Sequence, residues 1–189
     1  MTLLDELLEA NRHVLRAGSV GTFRANRHLC IVTCVDPRLT RLFPDALGVE
    51  RGQAVALRVP GAHVPAGSEA LRSLAATVYV NGCEEILVLA HTDCGVAKVS
   101  PGDVADAMRA RGVDPAPFGD LGEFFGLVPD QDLALAETVS AIRSAPFLPR
   151  AIPVHSALMD VATGRIWVIE RGYQAADVGT GANSTGATR

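Results

Sequence analysis

Two short stretches of the sequence carry side chains that could bind a metal ion. In the stretch HTDCG, His91 and Cys94 stand three positions apart, and the upstream stretch CVDPR begins with Cys34. Zn²⁺ prefers thiolate and imidazole ligands, and a catalytic zinc site keeps three protein ligands and one open position. Cys34, His91 and Cys94 supply that number and those types of ligand. We therefore interpret these three residues as candidate zinc ligands.

The stretch CVDPR also places Asp36 and Arg38 beside the candidate metal. A carboxylate two residues from a ligand can accept a hydrogen bond from metal-bound water, and a nearby arginine can keep that carboxylate ionised and oriented. Alone, such a pair is more often a loop salt bridge, and a single His-x-x-Cys is a weak signal. Their joint occurrence favours a catalytic metal site. The other cysteines, Cys30 and Cys83, are interpreted as small buried hydrophobes.

Both stretches follow short apolar runs that are typical of buried strands. LCIVTC at 29–34 is a continuously apolar run, the pattern of a parallel strand covered on both faces, and EILVLA at 85–90 is apolar after Glu85. Between these two, which are the first and third strands in chain order, a second strand is predicted over 53–59, and a C-terminal hairpin is predicted over 151–172 with its turn at 162–164. Helices are predicted over 3–16, around 41–48, over 68–82 with Ser68 as N-cap and Gly82 as stop, and over 132–144. The prolines of residues 100–128 indicate broken helices and loops.

This order of elements predicts an α/β fold. We expect a mainly parallel central sheet of about four strands plus an antiparallel C-terminal strand, flanked by helices. In such sheets ligand sites lie beyond the carboxyl ends of the strands, which is where both reactive stretches fall. Cys34 can join His91 and Cys94 if the first and third strands are neighbours, as a right-handed crossover permits.

Length and composition narrow the class of protein. A chain of 189 residues with 48% hydrophobic residues predicts one domain, over residues 1–174, with a helix in 1–18 and a disordered tail at 175–189. The net charge is −4 and the basic residues are scattered, which argues against nucleic acid as a partner. No apolar run reaches the length of a membrane span, and the N-terminus lacks the pattern of a signal peptide. We predict a cytoplasmic protein without a membrane partner.

The pair of stretches resembles a known family. CVDPR followed by HTDCG is similar to the paired signature Cys-x-Asp-x-Arg and His-x-x-Cys of the β-class carbonic anhydrases. The resemblance runs from roughly Leu29 to Tyr173, includes the order of elements, and points to the short bacterial branch. It implies a homodimer or a dimer of dimers, with the N-terminal helix packing on the neighbouring subunit.

The resemblance also implies a function and assigns roles. It implies a zinc-dependent carbonate dehydratase, a lyase that reversibly hydrates CO₂ to bicarbonate, with Cys34, His91 and Cys94 as the zinc ligands. Asp36 and Arg38 would then form a dyad that orients zinc-bound hydroxide. Because zinc lowers the pKa of bound water to about 7, such a site works at neutral pH.

Two departures from the family pattern leave the substrate open. Pro37 stands where the family usually has Ser or Ala, and RVPG stands where it usually has Arg-Asn-Ala-Gly, so that Val59 replaces a polar asparagine. One alternative is a carbonyl sulfide or carbon disulfide hydrolase on the same scaffold. Another is a non-catalytic zinc-binding homologue in which Asp36 fills the fourth metal position. His63 is either a proton shuttle or a histidine packed near a dimer interface.

Overall fold

The computed structural model describes residues 28–50 and 52–173. The helix predicted in residues 1–18 and the tail predicted at 175–189 lie outside the described residues. Both stay predictions, and so does the single domain over 1–174.

A five-stranded sheet forms the centre of the molecule. Its strands are β1 Leu29–Cys34, β2 Val55–Val59, β3 Glu85–His91, β4 Val154–Met159 and β5 Ile166–Glu170. Their order is β2-β1-β3-β4-β5, with every neighbouring pair parallel except β4 and β5, which are antiparallel. The predicted α/β fold is therefore confirmed, and β1 lies next to β3.

Helices cover both faces of this sheet. They are α1 Leu39–Leu47, α2 Glu69–Asn81, α3 Pro101–Arg109, α4 Leu121–Phe125 and α5 Gln131–Ser144. Helices α2 and α5 pack on one face, and α1 packs on the other. Burial from both sides explains why β1 and β3 read as continuous apolar runs rather than as alternating ones. None of the helices in the described ranges is long and apolar enough to span a bilayer.

The two ends of α2 differ in how well they match the sequence prediction. Gly82 ends the helix in the left-handed conformation at φ 70°, as its position predicts. Ser68 occupies the N-cap position, but its hydroxyl makes no cap hydrogen bond with the described residues. Side-chain caps are present at α3, where Ser100 and Asp103 form a capping box, and at α5, where Asp130 accepts two backbone N–H groups.

Candidate metal centre

Three candidate ligands meet at the carboxyl edge of the sheet. Cys34 and His91 are the last residues of β1 and β3, and because these strands are parallel neighbours, both side chains reach the same edge. Cys94 follows β3 after a tight turn, with its sulfur 3.8 Å from that of Cys34. The donor atoms of all three residues lie within 4.8 Å of one another, and all three residues are buried. In the described part of the chain, no other group of three such side chains comes close enough to share a metal ion.

The imidazole of His91 is oriented for metal binding. Its Nδ1 lies 2.8 Å from the carbonyl oxygen of Thr92, and a carbonyl only accepts, so Nδ1 carries the proton. The lone pair is then on Nε2, which is buried and has no hydrogen-bond partner among the described residues. An unpartnered buried polar atom is costly, so it indicates a missing binding partner. One neutral imidazole and two thiols fit Zn²⁺.

The two thiols interact strongly with each other. A hydrogen bond between them holds the pKa of Cys94 well below that of an ordinary thiol and raises the pKa of Cys34. Burial of His91 is the largest single influence and opposes a charge on its ring, but the nearby Cys94 sulfur, the Thr92 carbonyl and the Asp36 carboxylate together outweigh it and raise the pKa of the imidazole. The cluster therefore favours negative charge on sulfur, which suits a bound cation.

Asp36 lies beside these donors and is held by Arg38. The Asp36 Oδ2 atom is 3.9 Å from Nε2 of His91. Arg38 donates from Nε to Oδ1 at 3.0 Å and from Nη2 to Oδ2 at 2.7 Å, a bidentate pair. These bonds lower the pKa of Asp36 to about 2, so the carboxylate is ionised near neutrality. Pro37 does not prevent this contact, since the backbone N–H of Arg38 also donates to Oδ1.

Arg38 has a second carboxylate partner that the sequence did not predict. Its Nη1 donates to Oδ2 of Asp93 at 2.8 Å, and its Nη2 donates to the Asp93 carbonyl at 2.9 Å. Lys98 forms an ion pair with the other oxygen of Asp93, and this contact and that of Arg38 lower the pKa of Asp93 to about 2. Asp93 adopts φ 57°, a left-handed conformation that Asp and Asn tolerate best after glycine. Its position between two candidate ligands was the available signal.

Arg58 fixes the backbone that carries Cys34 and Asp36. From strand β2 it donates Nε to the Cys34 carbonyl at 3.1 Å and Nη2 to the Asp36 carbonyl. Its Nη1 donates to the hydroxyl of Thr40 in α1 at 2.7 Å. Three donors from one guanidinium thus join β2, the loop after β1 and α1. In the sequence Arg58 stands out only as the first residue of RVPG, and its type and spacing predict no role.

A small apolar cavity opens beside the cluster. It has a volume of about 370 Å³, and apart from Cys34 and Asp36 its lining residues are apolar or glycine: Val35, Pro37, Gly95, Val96, Val99 and Leu127. A second, polar opening of about 630 Å³ has His91 and Cys94 of the cluster in its wall, together with Asp93 and Lys98. The cluster is therefore reached from an apolar side and from a polar side.

The remaining candidates are not members of the three-residue cluster. Cys30 and Cys83 are buried in the core, as predicted, and burial raises the pKa of both thiols, that of Cys30 to about 11. His63 places Nε2 3.1 Å from the Glu137 carboxylate. Among the described residues that line the two openings, His63 is absent. Its role as a proton shuttle stays a prediction.

Comparisons with known proteins agree on one family. The sequence profile of the carbonic anhydrase family matches residues 29–112, a range that contains the three candidate ligands. The crystal structure of β-carbonic anhydrase isoform I from Trichomonas vaginalis is 30% identical with a TM-score of 0.84, covering 92% of this chain and 100% of that chain. β-Carbonic anhydrase 1 of Mycobacterium tuberculosis is 29% identical over 169 residues, which are 88% of this chain and 97% of that protein.

A relative with a different activity also matches. Carbon disulfide hydrolase of Acidithiobacillus thiooxidans is 28% identical over 156 residues, which are 75% of this chain and 76% of that protein. The same scaffold therefore occurs in proteins named for two substrates.

Proposed function

We propose that this chain, which belongs to the β-carbonic anhydrase family, reversibly hydrates CO₂ to bicarbonate. It is a lyase of the carbonate dehydratase class, with zinc as its cofactor. The observation that carries this proposal is the meeting of two thiols and one unpartnered imidazole nitrogen beside an ionised carboxylate. In this proposal Cys34, His91 and Cys94 hold the metal. When bound, Zn²⁺ supplies a nucleophilic oxygen at neutral pH, because it lowers the pKa of water to about 7.

Asp36 and Arg38 orient the reaction in this proposal. The Asp36 carboxylate has no proton to donate, so it accepts a hydrogen bond from the attacking oxygen and directs the lone pair of that oxygen at the substrate carbon. Arg38 keeps Asp36 ionised and fixes its two oxygens through the bidentate contact. Preorganised contacts of this kind typically contribute about 2.7–4 kcal/mol to transition-state stabilisation.

The apolar cavity suits an uncharged, linear substrate. CO₂ carries no charge and makes weak hydrogen bonds, so walls such as Val35, Val96 and Leu127 accept it without a desolvation cost. The ionised Asp36 at the end of this cavity repels anions. We therefore propose that CO₂ reaches the centre from the apolar side.

A second candidate function is hydrolysis of carbonyl sulfide or carbon disulfide. Its support is the similarity to a carbon disulfide hydrolase and the apolar lining, which suits a sulfur-containing triatomic molecule equally well. Val59, in place of a polar residue usual in the family, leaves this candidate open.

One zinc-loaded sample separates the candidates. We expect rapid CO₂ hydration in a stopped-flow assay with a pH indicator, and Cys94→Ala at the same protein concentration serves as the matched control. Sulfide release from carbonyl sulfide or carbon disulfide without CO₂ hydration would establish the second candidate instead. A fully zinc-loaded protein inactive on all three substrates would be a non-catalytic homologue, with Asp36 in the fourth metal position.

We also propose that the chain assembles as a homodimer or a dimer of dimers. Among the described residues, strand β5 is an edge of the sheet, and Val168 and Ile169 on it are 52% and 57% exposed. Exposed apolar edges are usually covered in native proteins. Light scattering at micromolar concentration tests this, and a monomeric mass contradicts it. The cytoplasmic location and the absence of nucleic-acid and membrane partners stay predictions.

A further inference from the structure

Four charged side chains form a continuous chain along the rim of the candidate metal centre. Lys98 pairs with Asp93, Asp93 pairs with Arg38, and Arg38 pairs with Asp36. The first two members follow β3 and the last two follow β1. The contact between Asp93 and Arg38 therefore joins the two stretches that supply the metal ligands.

We propose that Asp93, backed by Lys98, is a positioning residue that holds Arg38 in the orientation in which Arg38 retains Asp36. This inference rests on the proposed function, because it concerns how the Asp36 carboxylate is kept available for the substrate. Asp93 acts through Arg38 and touches neither the substrate nor the metal.

The geometry of the guanidinium supports this role. A guanidinium is a rigid planar fork with five N–H donors. Arg38 uses Nε and one edge of Nη2 on Asp36, and it uses Nη1 and the other edge of Nη2 on the side chain and carbonyl of Asp93. An arginine with one partner can rotate about its side-chain torsions while keeping that contact. Two partners from different strand ends leave Arg38 a single orientation.

The backbone at Asp93 makes the second contact possible. Its φ of 57° turns the chain just before Cys94, so the carbonyl and the carboxylate of Asp93 both face Arg38. Lys98 pairs with Oδ1 and leaves Oδ2 to Arg38. Asparagine tolerates the same conformation, whereas most other side chains are strained there. Asp93→Asn therefore removes the charge without disturbing the turn.

Release of Arg38 has a specific consequence for Asp36. The Asp36 Oδ2 atom lies only 3.9 Å from Nε2 of His91, so a freed carboxylate can compete for the fourth metal position. Loss of Asp93 should then close the centre to external ligands. A purely electrostatic effect has the opposite sign, because removing a negative charge from the rim strengthens the binding of an anion.

The test measures anion binding to the full chain loaded with Co²⁺, whose visible absorption reports a new ligand. Thiocyanate is the probe, and Asp106→Asn is the matched control, because Asp106 is an exposed aspartate paired only with Arg109 on α3 in the described structure. For side chains that are 44% to 64% exposed we expect Asp93→Asn to weaken thiocyanate binding about fivefold and Lys98→Met about twofold. Asp106→Asn should leave the affinity unchanged, and metal content should stay the same in all three variants.

A double-mutant cycle shows whether Asp93 acts through Asp36. In an Asp36→Ala background the Asp93→Asn substitution should no longer weaken thiocyanate binding, because no carboxylate remains to compete for the metal. Equal weakening in both backgrounds, or tighter or unchanged binding in Asp93→Asn alone, overturns the proposal. If Asp93→Asn does not hold the metal, Lys98→Met is compared in the wild-type and Asp36→Ala backgrounds instead, and an unchanged affinity or equal weakening in both backgrounds overturns the proposal.

This test is independent of the substrate. If the wild-type protein hydrates no CO₂, the proposed function fails, yet the thiocyanate affinities still support or overturn the role of Asp93. If CO₂ hydration is rapid and the affinities do not change, only the role of Asp93 fails.

Discussion

Two pairs of cysteines occupy the two ends of the same neighbouring strands. Cys30 and Cys83 lie at the amino ends of β1 and β3, and Cys34 and Cys94 lie at the carboxyl ends. All four are buried to the same degree, with exposures of 0% for Cys30, 3% for Cys83, 1% for Cys34 and 3% for Cys94. Burial therefore does not distinguish the pair that packs from the pair that could bind a metal.

The difference lies in the neighbours of each pair. Around Cys30 and Cys83 burial dominates, and the pKa of each thiol is raised. At the other end, the Cys34 thiol, His91 and the backbone N–H groups of Val96 and Ala97 all favour a thiolate at Cys94. A cysteine in this sheet therefore becomes chemically active through polar groups at the strand end. Its exposure to solvent does not decide its reactivity.

The largest expected effect is the loss of the metal. Cys94→Ala removes one of three donors and should abolish zinc binding, because two remaining ligands hold the ion poorly. Cys83→Ala should keep about one zinc per chain, as measured by elemental analysis of protein purified without added metal. Zinc loss in Cys83→Ala, or full zinc in Cys94→Ala, would contradict the conclusion that only the cysteines at the carboxyl ends of the strands bind metal.

The next effect isolates the ionised carboxylate at the carboxyl end. Asp36→Asn should keep zinc but raise the barrier to CO₂ hydration by about 2 to 4 kcal/mol, roughly a thirty- to thousandfold loss of turnover. The amide has no charge for Arg38 to hold, and it presents a donor as well as an acceptor. Turnover in stopped-flow assays checks this, and full activity would remove Asp36 from the mechanism.

Substitution of Arg38 tests the same carboxylate through its partner. Arg38→Ala should be about as damaging as Asp36→Asn, since it frees Asp36 to approach the metal. The two effects should not add, because both substitutions break one unit. A double variant much slower than either single variant would give Arg38 a separate task, such as holding bicarbonate.

A smaller effect is expected from the residue that fixes the ligand backbone. Arg58→Lys cannot reproduce three donors in one plane, so the carbonyls of Cys34 and Asp36 lose their common clamp. Groups that support a ligand typically contribute a factor of about 10 to 100 in metal affinity. Competition with a chelator should show a loss in that range. An unchanged affinity would mean that the strand pairing alone positions Cys34.

The smallest effect concerns the amino end. Cys30→Ala leaves a small cavity in the core, which should lower the free energy of unfolding by about 1 to 2 kcal/mol. Urea denaturation measures this, and zinc content and turnover should be unaffected. A loss of metal in this variant would show that the two ends of β1 are coupled.

The strands and the meeting of three candidate ligands were predictable from local patterns. Continuous apolar runs marked β1 and β3, and parallel pairing then required Cys34 and His91 to reach one edge. The contacts of Arg38 with Asp93 and of Arg58 with the Cys34 carbonyl were not predictable in this way. The partners of a long charged side chain depend on which loops lie close to it in the folded structure. The hydrophobic periodicities of strands and helices, 2 and 3.6 residues, do not predict this. Among the residues that the structure describes, the hydroxyl of Ser68 makes no cap hydrogen bond for a related reason. The N-cap position fixes the backbone of a residue but not the rotamer of its side chain.

Cys34 and Cys94 are 60 residues apart in the sequence, and this separation bears on whether the protein folds before it binds zinc. Strand β2 and helix α2 lie between them, so the three donors meet only after β1 and β3 have paired. In a zinc finger the ligands are close in sequence, and the metal can drive folding. Here the three donors meet only in the assembled sheet, so we expect the sheet to fold without the metal and zinc to bind the folded protein. Chelation should accordingly return an empty but folded protein that can be recharged, and the supply of metal should limit its activity rather than its survival.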